Sequence, residues 1–211
     1  MSGIVQGSPE WFAQRAGKVT ASRLADVLAT IKSGESAARA NYRAELIAER
    51  LTGKVIEGFS NAAMKWGTEC EPLARAAYEA ETGDIVTECA MVAHPTIQHT
   101  GASPDGLVSA DGLLEVKCPE TKSHINTLLS GSVPSQYMPQ MIWQMACTGR
   151  KWVDFVSFDP RMPAPLQLFV KRVPRDESLI ASHEAAVIIF LSEIQQTLDR
   201  LNAIQSTKET P

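Results

Sequence analysis

The 211-residue chain is predicted to fold as one α/β domain, residues 1–211, with a mixed β-sheet flanked by helices. Helical patterns fill the chain up to Gly83, and five segments rich in β-branched and aromatic residues follow with turn signals between them. Helical patterns return between the third and fourth of these segments and again at the C-terminal end. No internal repeat and no Gly/Ser-rich linker divides the chain.

Four helices are predicted before the sheet. "GSPEWFAQRAG" has Ser8 as a plausible N-cap and Pro9 at the first helical position, and it ends at Gly17. "TASRLADVLAT" indicates a second helix, and "SAARANYRAELIAERLTG" indicates a third that Gly53 ends. The fourth runs from about Asn61 to Thr82.

The strand segments are "DIVTECAMVAH", "QHTGASPDGLVS", "GLLEVKC", "KWVDFVSFD" and "PLQLFVKRV". The third and fourth are separated by two helical segments, "TKSHINTLLSG" and "PSQYMPQMIWQMACTG", and Pro139 is expected to kink the second. A long amphipathic helix follows, with apolar positions from Leu179 to Leu201. The ends, 1–7 and 206–211, are predicted to be disordered.

The composition is that of an ordinary globular protein, with 44% hydrophobic and 21% charged residues. No apolar run approaches the ~18–20 residues of a membrane span, and "MSGIVQGSPEW" lacks the regions of a signal peptide. We therefore expect a cytosolic protein without a membrane partner. The cysteines are widely spaced and form no CxxC pair, so we expect reduced thiols and no zinc site: Cys70, Cys89, Cys118 and Cys147.

The net charge of −4 is unevenly distributed along the chain. Residues 55–120 carry −8, whereas the segments before and after carry +3 and +1. An acidic middle between neutral or basic flanks suits a site that concentrates cations while the flanks hold an anion. A solvated acidic face is the alternative, and charge alone leaves both open.

The stretch "GASPDGLVSADGLLEVKCPE" contains three charged residues that could converge on one face of a hairpin. Glu115 and Lys117 share a face because strand side chains alternate. A three-residue loop with Gly112 in the left-handed conformation pairs Asp105 with Lys117 and brings all three together. A two-residue loop turns Asp105 to the opposite face. We expect the convergent register.

Two carboxylates on one face form a hard-oxygen site for Mg²⁺ or Mn²⁺, and the backbone carbonyl of Val116 can be a further ligand. Lys117 cannot ligate a metal when protonated, but beside one it can orient or deprotonate an attacking water and stabilise charge on a phosphate. This is the logic of metal-assisted phosphodiester hydrolysis. An exposed hairpin with a surface salt bridge is the alternative.

The pattern Pro104-Asp105, nine residues, then Glu115-Val116-Lys117 resembles that of the PD-(D/E)xK nucleases. The flanking segments are similar to the lambda exonuclease branch of phage recombination enzymes: "WFAQRAGKVTAS", "MKWGTECEPLARAAYEAETG", "ASPDGLVSADGLLEVKCP", "QYMPQM" and "FVSFDPRM". The resemblance extends from about Trp11 to the last long helix and implies a restriction-endonuclease-like core.

The resemblance also implies two further catalytic side chains. Glu71 would complete the metal site and help hold a second ion, unless it is a helix-surface acid. Gln140 would contact the attacking water or a phosphate, unless it is a solvated amide. Tyr137 shares its helical face and is expected among the DNA contacts. Gln144 also falls on that face, and the sequence alone does not exclude it.

A pocket for a 5′ phosphate is implied at Arg15, Thr20 and Ser22, with Ser103 contributing from beside the catalytic aspartate. Guanidinium and hydroxyl groups suit phosphate, and a helix starting near Thr20 would offer free backbone N–H groups. Simple helix capping is the alternative for both hydroxyl residues. The resemblance also places Met64 where the family has an apolar residue that would splay the last base pair, although methionine is more often a core residue.

Together these features imply a Mg²⁺-dependent exonuclease, with Mn²⁺ a possible substitute, that uses two metal ions. It would degrade the 5′-ended strand of linear duplex DNA, release 5′ mononucleotides and leave 3′ overhangs for single-strand annealing recombination. The family implies a ring-shaped homotrimer, a single-strand annealing partner, and phage or prophage origin in a bacterial cytosol. The alternatives are a restriction-type or structure-specific endonuclease and a non-catalytic DNA-end-binding recombination scaffold.

Overall fold

The computed structural model describes residues 8–56 and 62–209. The α-helices are α1 Pro9–Arg15, α2 Leu24–Val27, α3 Ala37–Thr52, α4 Ala62–Thr82, α5 Thr121–Ser130, α6 Met138–Thr148 and α7 Glu177–Glu209. The strands are β1 Val19–Thr20, β2 Val86–Thr87, β3 Val92–Ala93, β4 Thr100–Ala102, β5 Gly106–Val108, β6 Gly112–Lys117, β7 Trp152–Phe158 and β8 Leu168–Pro174. Short 3₁₀ turns lie at Ala21–Arg23, Ser135–Tyr137 and Ala164–Leu166.

The larger sheet has the order β2-β5-β6-β7-β8. Its central pair, β6 and β7, is parallel, and its other pairs are antiparallel. A smaller sheet has the order β1-β4-β3, with β1 parallel to β4. The predicted α/β fold with mixed sheet and flanking helices is therefore confirmed. The sequence did not predict β1, because a strand of two residues is too short to show an alternating pattern.

Two of the predicted strands are each divided between the two sheets. "DIVTECAMVAH" supplies β2 and β3, and "QHTGASPDGLVS" supplies β4 and β5. Pro104 lies between β4 and β5 and has no N–H for a ladder. Within β4, a Cβ on Gly101 would lie 2.6 Å from the carbonyl oxygen of Val92, so this close pairing with β3 requires glycine.

The β5–β6 hairpin has a different register from the predicted one. Val108 pairs with Gly112, and the loop is Ser109–Asp111, with Ser109 in the left-handed conformation at φ 48°. Gly112 is a strand residue, where a Cβ would lie 2.0 Å from the Trp152 ring. The predicted register was wrong: it paired Leu107 with Glu115, whereas Leu107 pairs with Leu113, two residues earlier in β6. Because that shift is even, each side chain keeps its face, and Asp105 lies one step beyond the last pairs, opposite Glu115.

The core has one cluster on each face of the larger sheet. Leu113, Val153 and Phe155 pack with the helices α2, α3, α6 and α7 on one face. Leu114 and Val156 pack with α4 on the other. Strand alternation therefore directs Glu115 towards the side covered by α6.

Pro139 does not kink α6, which corrects the expectation from the sequence. It lies in the first turn of the helix, where its backbone nitrogen has no intrahelical partner to lose. α7 continues to Glu209, past the start of the predicted disordered tail at Ser206, because each added residue of an established helix forms one more hydrogen bond. Residues 1–7 and 210–211 lie outside the described residues. Within the described ranges, no helix is long and apolar enough to cross a bilayer.

Candidate active site

Asp105 and Glu115 are held together by the hairpin. Asp105 follows Pro104 just before β5, and its Oδ2 accepts a hydrogen bond of 2.7 Å from the backbone N–H of Val116. Glu115 lies within β6 and is fully buried. The two carboxylates are thus fixed by backbone pairing, as the convergent arrangement predicted, although through a different register.

Glu115 has a different partner at each carboxylate oxygen. Its Oε2 accepts a 2.5 Å hydrogen bond from Nε2 of Gln144 on α6, which is also fully buried. Its Oε1 forms an ion pair with Nζ of Lys117, and the two atoms lie 2.5 Å apart. The 3.6-residue helical period placed Gln144 on the active-site face but could not distinguish its role from that of Gln140.

Burial and neighbouring charges shift the pKa values of the acidic residues and the lysine of this site. Burial and the nearby carboxylate of Glu115 raise the pKa of Asp105 well above its usual range. Burial also raises the pKa of Glu71, against the opposing effect of Arg75 at 3.2 Å. Burial alone would lower the pKa of Lys117, but Glu115 and Asp105 outweigh it and raise the pKa. Asp105 and Glu115 share one lysine, so these two carboxylates favour additional positive charge.

These side chains line a cleft of about 750 Å³. The predicted residues that line it are Arg15, Ser22, Glu71, Ser103, Asp105, Glu115, Val116, Lys117, Tyr137 and Gln140. Thr20 is buried beside it, with its hydroxyl 3.3 Å from that of Ser22. Met64 lies in α4, but its side chain is outside the described part of the structure, so the wedge role stays a prediction.

Arg15 occupies a pocket of hydroxyl groups at one side of the cleft. Its Nη1 donates to Ser103 Oγ at 3.2 Å, its Nη2 donates to Ser22 Oγ at 3.0 Å, and the guanidinium lies 4.1 Å from the Trp11 ring centroid. Burial lowers the pKa of Arg15. Among the described residues, no carboxylate forms an ion pair with it. A half-buried guanidinium without a carboxylate partner suits an incoming anion.

The Thr20 N–H donates to the hydroxyl of Tyr42 at 3.1 Å and is therefore not free. Neither the 3₁₀ turn nor α2 receives a side-chain cap, so the capping alternative for Thr20 and Ser22 is not observed. Binding of an anion by the backbone N–H groups that follow Thr20 stays a prediction.

Tyr137 packs between a strand and the lysine. Its ring stacks on Phe155 with centroids 5.6 Å apart, and Nζ of Lys117 lies 5.3 Å from the ring centroid. This contact positions the lysine. The DNA contact expected of Tyr137 stays a prediction.

The donor set fits a divalent cation, although it is not a preformed cage. Within the described ranges, no three acidic, histidine or cysteine side chains lie close enough together to form a ready metal centre. Asp105 and Glu115 nevertheless present hard oxygen donors whose mutual repulsion a divalent cation would relieve. Cation binding would replace Lys117 as the neutralising partner of Glu115.

Comparison with known proteins identifies similar chains. Residues 10–151 match the family model described as a YqaJ-like viral recombinase domain. No curated protein sequence gives a significant match. The crystal structure of an alkaline exonuclease, LHK-Exo, from Laribacter hongkongensis is 51% identical, with a TM-score of 0.88, and the match covers 95% of this chain and 99% of that one.

Two further structures extend the comparison. LHK-Exo in complex with dAMP is 52% identical, with a TM-score of 0.89 over 95% of this chain and 99% of that one. A phage-related exonuclease from Haemophilus somnus 129PT is 18% identical, with a TM-score of 0.66 over 89% and 96% of the two chains, and shows likeness of fold alone. The match between residues 10 and 151, together with half-identical structures over nearly the whole length, shows that this chain belongs to the YqaJ-like viral recombinase family, within the lambda exonuclease group.

Proposed function

We propose that this chain is a Mg²⁺-dependent exonuclease that degrades the 5′-ended strand of linear duplex DNA. It releases 5′ mononucleotides and leaves a 3′ single-stranded overhang. The observation that carries the proposal is that one cleft contains both the Asp105, Glu115 and Lys117 group and the Arg15 pocket. A nuclease centre next to a pocket for a terminal phosphate favours cleavage from an end.

Four groups would hold the cation: the carboxylates of Asp105, Glu115 and Glu71, and the backbone carbonyl of Val116. All four residues line the cleft, and each group offers hard oxygen donors. A bound Mg²⁺, or Mn²⁺ in its place, supplies an activated water and neutralises charge on the scissile phosphate and its leaving oxygen. With Glu71 included, the set has enough carboxylates for two ions.

The remaining side chains position the reactants. Lys117 is held by Tyr137 and Glu115, and it orients the attacking water and stabilises negative charge on the phosphate. Gln140 on α6 faces the same cleft and hydrogen-bonds the water or a phosphate oxygen. Arg15, Ser22 and Ser103 receive the 5′ phosphate, so that the first phosphodiester bond lies over the carboxylates.

The comparisons support this function. The half-identical structures are those of an alkaline exonuclease, and one contains dAMP, a nucleoside monophosphate of the kind proposed as product. A 3′ overhang is the form of DNA that a single-strand annealing protein would bind, so we propose such a protein as the partner.

The test uses linear duplex DNA with one 5′-phosphate end and one 5′-hydroxyl end, each strand carrying a different label. Purified protein is incubated with this DNA and Mg²⁺, alongside covalently closed circular DNA and an Asp105→Asn variant. We expect loss of the phosphorylated strand from its 5′ end, mononucleotide products, an intact circle and an inactive variant. Arg15→Ala should mainly erode the preference for the phosphorylated end.

Other outcomes would contradict the proposal in distinct ways. Cleavage of the circle would indicate an endonuclease. Tight end binding with no product in Mg²⁺ or Mn²⁺ would indicate a non-catalytic scaffold. Loss of label from the 3′ end would reverse the polarity.

A further inference from the structure

Arg161 lies at the active-site edge of the sheet, although the sequence alone gave it no role. It follows the end of β7, and its Nη2 donates to the carbonyl oxygen of Pro119, just beyond β6, at 3.3 Å. Because β6 and β7 are parallel, their C-terminal ends meet at one edge of the sheet, and Lys117 lies there too. Arg161 lines the same cleft as the catalytic group.

The guanidinium is fixed from behind by a buried carboxylate. Nε of Arg161 donates to Oδ1 of Asp159 at 2.7 Å, and Nη2 donates to Oδ2 at 3.0 Å. Asp159 is fully buried and also accepts a 2.6 Å hydrogen bond from the hydroxyl of Thr121. The Arg161 side chain is 47% exposed and lines the cleft, whereas Asp159 does not. The guanidinium therefore faces the cleft, and its Nη1 has no hydrogen-bond partner in the described ranges.

Trp66 provides a stacking surface for Arg161. The guanidinium lies 4.5 Å from the centroid of the indole ring, which also lines the cleft. Nε1 of Trp66 is buried and has no acceptor among the described residues. The pair of Arg15 and Trp11 has the same construction, including a buried indole N–H without an acceptor. An arginine stacked on a tryptophan thus occurs twice in one cleft.

The free edge of the guanidinium defines the ligand. Asp159 and Pro119 accept the hydrogen bonds of Nε and Nη2, whereas Nη1 has no acceptor among the described residues. A cationic donor that is stacked on an aromatic ring at the wall of a cleft suits an oxygen-rich anion without donors of its own, and a phosphodiester is such an anion. Arg15 already provides a pocket for a terminal phosphate.

We infer that Arg161 and Trp66 form a second phosphate site, which binds an internal phosphate of the DNA substrate. The inference rests on the proposed function, because it takes DNA as the ligand. Arg15 selects the end of the strand, and Arg161 holds the backbone at another point of the cleft. The two arginines therefore contribute to different measurable properties.

The test measures binding separately from cleavage. Fluorescence anisotropy follows 5′-phosphorylated and 5′-hydroxyl duplexes without divalent metal, over a series of salt concentrations. Arg161→Gln should weaken binding about tenfold, the scale of one charged hydrogen bond. It should also reduce the slope of log affinity against log salt by about 0.9, the value for one duplex phosphate contact. The preference for the phosphorylated end should stay as in the wild type, whereas Arg15→Ala should lose it.

Two further variants separate binding from stability. Lys151→Gln removes an exposed cation before the start of β7, outside the cleft, and should leave the salt slope unchanged. Trp66→Leu removes the ring that supports the guanidinium, so it should weaken DNA binding by a smaller factor than Arg161→Gln does. Wild-type affinity and slope in Arg161→Gln, with a melting temperature that shows the variant is folded, would overturn the inference. Absence of cleavage by the wild type with Mg²⁺ or Mn²⁺ would instead contradict the proposed function.

Discussion

At the scale of single residues, the environment of Glu115 decides how the site works. Lys117 and Gln144 hold this buried carboxylate from two directions. An ionised carboxylate without such partners would be costly to bury. Removal of each partner should have a different effect on activity, because Lys117 faces the cleft whereas Gln144 lies in the core.

Replacing the lysine tests its role in the chemical step. Lys117→Ala should keep DNA binding and reduce turnover on the order of 10²–10³-fold, the loss expected for one transition-state donor. Single-turnover cleavage at saturating enzyme would measure this, with Lys122→Ala, an exposed lysine on α5, as the control. Thermal unfolding would show that the variant is folded. Near-normal turnover would contradict the role assigned to Lys117.

Replacing the buried amide tests its support of the metal ligand. Gln144→Leu removes the donor to Glu115 and should raise the Mg²⁺ concentration for half-maximal activity about 10–100-fold, as for other partners of metal ligands. Gln140→Leu, on the same helical face but in the cleft, should reduce turnover without that shift. A Mg²⁺ titration of each variant distinguishes them. An equal Mg²⁺ requirement in Gln144→Leu and wild type would show that Gln144 only packs.

The candidate site was predictable from sequence to the extent that it depends on strand alternation and helix period. Strand alternation placed Glu115 and Lys117 on one face of β6. The helix period placed Gln140 and Gln144 on one face of α6. Which glutamine reaches the carboxylate depends on how deeply α6 packs against β6, and no local pattern encodes that depth. Arg161 was missed because its role depends on contacts with α4, which is distant in sequence.

At the scale of elements, the hairpin shows why a partly wrong prediction still located the site. The loop was misplaced because glycine favours left-handed conformations, whereas here Ser109 adopts one and Gly112 makes room for Trp152. Side-chain direction has period two, so a shift of two pairing positions left Asp105 on the correct face. A shift of one would have removed it from the site.

An ionic network lies at the edge of the apolar contact between α3 and α7. Arg39 and Arg43 on α3 each bridge Glu35 and Glu193, with N–O distances from 2.5 to 2.9 Å. A hydrogen bond from Arg39 lowers the pKa of Glu193 against the effect of burial. A network with bidentate arginine geometry stabilises more than isolated surface pairs do.

This network predicts how stability depends on pH. A lowered folded-state pKa means that Glu193 contributes stability above its unfolded pKa and loses it as pH falls through the folded value. Glu193→Gln should therefore lower the free energy of unfolding by about 1 kcal/mol at pH 7, and the difference should shrink as pH falls below 4.5, the ordinary value for glutamate. Urea unfolding at several pH values measures it.

The matched control is Glu177→Gln on the same helix. Glu177 pairs with Arg175, and its side chain is exposed. This substitution should change the free energy of unfolding much less than Glu193→Gln does, because an exposed pair is screened by solvent. A Glu193→Gln effect that did not depend on pH would show that packing, and not charge, accounts for it.

At the scale of the whole molecule, the net charge must be reconciled with a polyanionic substrate. The chain carries −4 overall, and the acids of the cleft add repulsion of their own. Arg15 and Arg161 provide local attraction, but a few phosphate contacts do not hold a protein on DNA for many cycles at physiological salt. Enclosure of the DNA by several chains would keep the enzyme on its substrate without a large positive surface.

The ring-shaped homotrimer expected for the family predicts both a mass and a kinetic behaviour. Exposed apolar side chains such as Ile85 and Leu129, which are 80% and 82% exposed in the single chain, are candidates for burial between subunits. Light scattering should give three times the chain mass of 22.9 kDa. After a challenge with excess unlabelled DNA, enzyme already bound to an end should continue degrading that molecule, because an encircled duplex cannot exchange. A monomeric mass, with cleavage that stops at once on challenge, would contradict enclosure while leaving the chemistry of the cleft intact.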